Sequence, residues 1–128
     1  MCQLNDGSIV VAWSDMNQNQ AMIKHYAPNL DVLKGETTIG ALSTGNIPYP
    51  QISALSDGGF VAIWQIDDGI DLGIGGLIFN SNANTNGTMF DVHVGTMNER
   101  RFYSVAGLVN GGFVTVFEEK AANTDCYY

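Results

Sequence analysis

Charge is scarce in this sequence. Asp, Glu, Lys and Arg make up 14% of its 128 residues, where an average soluble protein carries roughly 25%. Basic residues are scarcest: five Lys and Arg stand against thirteen Asp and Glu, for a net charge of −8. Nucleic-acid binders need clustered Lys and Arg for the phosphates, and docking on anionic lipid needs them as well. The composition argues against both. No apolar run reaches the roughly 18 residues that span a bilayer, so no membrane insertion is expected. The two cysteines, Cys2 and Cys126, form no Cys-x-x-Cys and have no His at metal-ligand spacing. His25 and His93 are lone histidines with no Ser or carboxylate partner close in sequence. Ala41-Leu42-Ser43-Thr44-Gly45 is a near miss to a nucleophile elbow, but Pro48 and Pro50 follow instead of a helix. No pair of carboxylates can be nominated for glycosidase work. An enzyme is not expected. What the chain does have is apolar residues at 45%, enough for a packed core rather than disorder.

Self-similarity organises the rest. Leu4-Asn5-Asp6-Gly7-Ser8-Ile9-Val10-Val11-Ala12-Trp13 returns as Leu55-Ser56-Asp57-Gly58-Gly59-Phe60-Val61-Ala62-Ile63-Trp64. It returns again as Leu108-Val109-Asn110-Gly111-Gly112-Phe113-Val114-Thr115-Val116-Phe117. The leading Leu residues are 51 and then 53 positions apart. The repeat units are 1–50, 51–103 and a partial 104–128. Each reads as four short strands: in the second unit Gln51 to Leu55, Phe60 to Ile66, Gly73 to Phe79 and Thr88 to Val94. Asp-Gly between the first two signals a tight two-residue hairpin turn with positive φ. Phe60, Ala62 and Trp64 point to one face of the second strand, and Val61 and Ile63 to the other. A strand apolar on both faces belongs to a sheet covered on both sides. The expected fold is therefore all-β: stacked four-stranded antiparallel sheets like β-propeller blades, in one repeat-built domain. The two full periods and partial ends lead us to expect sheets open and incomplete at both ends, with apolar faces and edges to be covered.

The pattern Leu-x-Asp-Gly-Gly-Phe-Val-x-x-Trp, then Gly-x-x-Gly-x-x-Phe-Asn and Asn-Gly, resembles a known repeat. It is similar to the tandem repeats of about 50 residues in large secreted adhesin-like and calcium-binding bacterial proteins and protist surface proteins. The second unit, Gln51 to Val105, fits best. The first departs at Lys24-His25-Tyr26, and the third has Phe117 in place of Trp. The resemblance implies a propeller-like or stacked β architecture and an extracellular structural or adhesive role. It carries no catalytic residues. Ser53 and Ala106 stand where Cys2 does, so the cysteines lie outside the repeat pattern.

Several residues are candidates for partners. Cys2 and Cys126 lie more than two periods apart, and stacked sheets are about 10 Å apart. That favours a disulfide between subunits over one within the chain, the alternatives being two free thiols or a bent arrangement with an internal bridge. Tyr127 and Tyr128 either pack on a neighbouring subunit or fray. Asp67, Asp68 and Asp71 form an acidic loop that has the oxygens for Ca²⁺, although it reads better as a solvated turn between strands. Asn82-x-Asn84-x-Asn86-Gly87 has an EF-hand skeleton without its charge and reads better as a hairpin loop. Asn86-Gly87-Thr88 is a glycosylation sequon. Trp13 and Trp64 have the faces to stack on sugars, but their equivalent positions favour a shared core role. Many Asn, Gly, Ser and Thr with few Lys suit an extracellular or cell-surface location. Polar residues follow Met1 directly, so the chain reads as a mature product, a piece of something longer, or a protein that is not secreted. The expected function is an extracellular structural subunit that joins copies of itself head-to-tail into a fibre or coat. The alternative is an adhesin-like module recognising a glycan or surface protein, with or without calcium.

Overall fold

The computed structural model describes residues 1–42, 47–67, 72–92 and 99–120. These residues are all-β, with no helix among them. The first sheet runs β1 (Cys2–Gln3), β2 (Ile9–Asp15), β3 (Gln20–Tyr26) and β4 (Val32–Ala41) in that order. The second runs β5 (Gln51–Ala54), β6 (Phe60–Asp67), β7 (Leu72–Phe79) and β8 (Phe90–Asp91). The third pairs β9 (Glu99–Gly107) with β10 (Phe113–Lys120). Every pairing is antiparallel and between sequence neighbours. None of the sheets closes into a barrel.

One turn recurs three times. The Leu4 amide donates to the Ser8 carbonyl at 2.8 Å, and the Gly7 amide to the Leu4 carbonyl at 3.0 Å. Leu55, Gly58 and Gly59 repeat this, as do Leu108, Gly111 and Gly112. The expected two-residue turn is thus a three-residue loop. Its glycine turns left-handed, with φ of +84°, +93° and +86° at Gly7, Gly58 and Gly111, and in the third copy Gly112 follows it at +77°. The aspartates have a different task. Asp6 and Asp57 each accept a bond from the amide two residues on, Ser8 and Gly59, both at 2.9 Å, the Asx geometry that pins a turn. The same loop joins β3 to β4 and follows β7. There the left-handed residues are Leu30 (φ +70°) and Ala83 (φ +55°), which pay a steric cost glycine avoids.

Packing follows the alternation of β2, β6 and β10. Val10, Ala21 and Ile23 of the first sheet meet Phe60, Ala62 and Trp64 of the second. On the opposite face of the second sheet, Val61, Ile63 and Ile74 meet Tyr103, Val105, Phe113 and Phe117 of the third. The middle sheet is covered on both sides, as the apolar run Phe60–Trp64 required. Phe60 and Phe79 stack with centroids 4.6 Å apart. Gly40 of β4 lets the Trp64 indole in: a Cβ there would lie 2.1 Å from Nε1. β1 packs beside β5 and β5 beside β9, so the first strands of successive sheets are neighbours, as in consecutive propeller blades.

Polar ties cross both seams. The Tyr103 hydroxyl donates to the Tyr49 carbonyl and accepts the Gln65 amide at 3.0 Å. Burial pushes its ionisation well above the usual tyrosine range. The Gly107 amide donates to Ser53 Oγ at 2.9 Å. Lys34 reaches from the first sheet to the Ala83 carbonyl and to Asn84 Oδ1, the latter at 2.9 Å. One expectation fails in extent. The fourth strand of the second unit is Phe90–Asp91, not Thr88 to Val94. Phe90 pairs with Gly76 and Asp91 with Gly75. The preceding residues are taken up by the Asn80–Asn84 turn and by the Asn86 amide, which bonds the Ile78 carbonyl at 2.7 Å.

Candidate functional site

The third sheet presents an apolar face to solvent. Its inner face holds Val105, Phe113 and Phe117 against the second sheet. Its outer face carries Val114 and Val116, with Ala106 and Ser104 opposite them in register. These valines are the repeat equivalents of Val61 and Ile63. In the second sheet that pair is fully buried, because the third sheet lies on it; Val114 and Val116 are 49% and 63% exposed. Beside them Phe102 is 76% exposed. It sits with Tyr103 opposite Phe117 where the β9–β10 register slips, a β-bulge, with φ of +48°.

The first sheet has the complementary uncovered face. Val10 and Ala12 turn inward to the second sheet, so Ile9, Val11 and Trp13 point away from it. All three are half-buried, whereas Trp64, the equivalent of Trp13, is 1% exposed. The shared core role expected of the two tryptophans holds for Trp64 alone, since no sheet among the described residues covers Trp13. Lys24 lies within this face, opposite Val11 in register. Its ammonium lies 3.8 Å from Glu36 and 5.5 Å from the centre of the Tyr26 ring.

Of the residues expected to bind partners, Cys2, Asp67 and Asn86 lie among the described residues. Cys2 is half-buried and packs into the core between the first and second sheets. Burial pushes its thiol up to about 11, so little thiolate is present at neutral pH. Asp67 ends β6, half-buried and paired with Leu72. Asp68 and Asp71 lie outside the described residues, as do His93, Cys126, Tyr127 and Tyr128. Among the described residues no three His, Cys, Asp or Glu side chains converge on a metal position. The Asn80 side-chain oxygen accepts the Asn82 and Asn84 amides at 3.0 and 3.1 Å, so this asparagine braces its own turn. Asn86 is exposed.

His25 has a partner that sequence proximity did not suggest. It is 2% exposed, with Nε2 2.8 Å from Ser8 Oγ. Ser8 Oγ is 2.6 Å from Asp6 Oδ1. The carboxylate only accepts, so the hydroxyl donates to it and accepts a hydrogen bond from the His25 Nε2–H. His25 Nδ1 is then a bare lone pair, buried and without a partner. Serine stands between aspartate and histidine, whereas nucleophile activation needs histidine in the middle. The row is structural. Its signal lies in the repeat: Ser8 and His25 replace Gly59 and Ile78 of the second unit, and the two changed residues touch. Comparison with protein families, with curated proteins and with solved structures returns no match for this chain.

Proposed function

We propose that this chain is an extracellular structural protein, a repeat-built β subunit that assembles with copies of itself into a fibre or surface coat. One observation carries the reading. The face that buries Val61 and Ile63 inside the molecule recurs on the third sheet with Val114 and Val116 uncovered. Burying such a side chain contributes roughly 1.5–3 kcal/mol. Several together can offset the ordering that association demands. An exposed sequon at Asn86 and the scarcity of lysine support an extracellular setting.

Sedimentation velocity over a wide concentration range tests this. We expect multiples of the 13.8 kDa subunit that persist in reductant. A monomer at every concentration overturns the proposal.

A further inference from the structure

We infer that the surface receiving the third sheet is the outer face of the first sheet of a second copy, with Trp13 as its anchor, so that assembly is head-to-tail. This rests on the self-assembly just proposed and adds the partner surface.

The polarity of the two internal seams supplies the argument. In the first seam, the face with Val10 and Ala12 meets the face with Phe60, Ala62 and Trp64. In the second, the face with Val61 and Ile63 meets the face with Phe113 and Phe117. Small aliphatic side chains always meet the row that carries the bulkier groups, never a row of their own kind. Val114 and Val116 extend the first series. Ile9, Val11 and Trp13 extend the second, with an aromatic again in third place. Two uncovered faces of one molecule are thus of the two kinds that pair twice inside it. The contact continues an interface already present, in the same relative sense.

Few charges enter the contact. The described residues at the centre of the β9–β10 outer face, Ser104, Ala106, Val114 and Val116, are uncharged. On the first sheet, Lys24 lies opposite Val11 within the face, and its charge is partnered by Glu36 at 3.8 Å. A contact between two different patches is heterologous, and it generates a ring if the rotation closes and a filament if it does not.

Two variants test the pairing. Val116→Lys places a charge on one face and Trp13→Lys on the other. Circular dichroism first checks that each is folded, with Val114→Lys and Val11→Lys as substitutes. Each variant alone is expected to remain monomeric at concentrations where the unaltered chain assembles. An unpaired charge in such a contact weakens association roughly a hundred-fold. Mixed in equal amounts, the two should form a dimer that grows no further, because each retains the face the other lacks. The inference is overturned if the unaltered chain assembles and the mixture stays monomeric. It is also overturned if Trp13→Lys alone still assembles, which indicates third sheets meeting one another. An unaltered chain that is itself monomeric removes the proposed function instead, and this inference with it.

Discussion

The Ser8–His25 contact can be dissected with the protein's own second repeat as the guide. Ser8→Gly and His25→Ile, singly and together, install the residues of the second unit. Ser8→Gly removes the hydrogen-bond partner of a buried imidazole whose Nδ1 has none among the described residues. A buried donor left unpaired costs about 1–3 kcal/mol, and the glycine backbone adds roughly 0.5–1 kcal/mol. His25→Ile removes the unpaired nitrogen and leaves Ser8 bonded to Asp6, so its stability should lie within about 1 kcal/mol of the parent. The double variant should then be more stable than Ser8→Gly alone, with a coupling of about 1–2 kcal/mol. Urea unfolding followed by tryptophan fluorescence at pH 7.5 measures all four proteins.

Lowering the pH gives a second reading. Burial holds the His25 pKa below its ordinary 6.5; Asp6 opposes this and the Lys34 ammonium adds to it. The unfolded chain therefore takes up a proton before the folded one. The contribution of neutral His25 to stability is complete above about pH 6.5 and is lost as the pH falls through the lowered value. His25→Ile should flatten that slope. The Asp6 carboxyl, held below its ordinary 3.8 by the Ser8 hydroxyl and amide, leaves a separate loss at lower pH. Additive single variants, within about 0.5 kcal/mol, together with an unchanged slope, would refute the account of this contact.

Three further outcomes are expected. Gly40→Ala drives a methyl into the Trp64 indole and should destabilise by about 1–3 kcal/mol in urea unfolding, with a shift in tryptophan emission. Tyr103→Phe removes the hydroxyl that joins the Tyr49 carbonyl to the Gln65 amide, and thermal unfolding should register a loss of about 1–3 kcal/mol. Leu30→Asn should raise the melting temperature. An exposed leucine at φ +70° is disfavoured by roughly 1–2 kcal/mol, and asparagine tolerates that backbone better.

The architecture was legible because it is written three times. The recurrence of Leu-x-Asp/Asn-Gly placed the hairpins, and the two-sided run from Phe60 placed the middle sheet between neighbours. Turn type was less legible. Asp-Gly suits a two-residue turn, but Asp6 and Asp57 satisfy amides two residues on, and the loop lengthens to suit. The fourth strand was overextended because nothing local showed that the Asn80–Asn84 turn would consume its neighbours. The ties between sheets left no local trace. Lys34 and Ala83 are 49 residues apart, and Tyr103 and Tyr49 are 54 apart. Only the paired departure of Ser8 and His25 from the repeat hinted at a contact across 17 residues.

Pairing only between sequence neighbours also shapes how the chain acquires its structure. Each sheet is a meander whose strands close over short loops, so its contacts form with little loss of chain freedom and at high rates. During synthesis the first sheet can form before the second is made, and the second before the third. The first and second sheets each wait with an apolar face bare until the sheet that covers it emerges. During synthesis, that interval is when neighbouring nascent chains can trap one another.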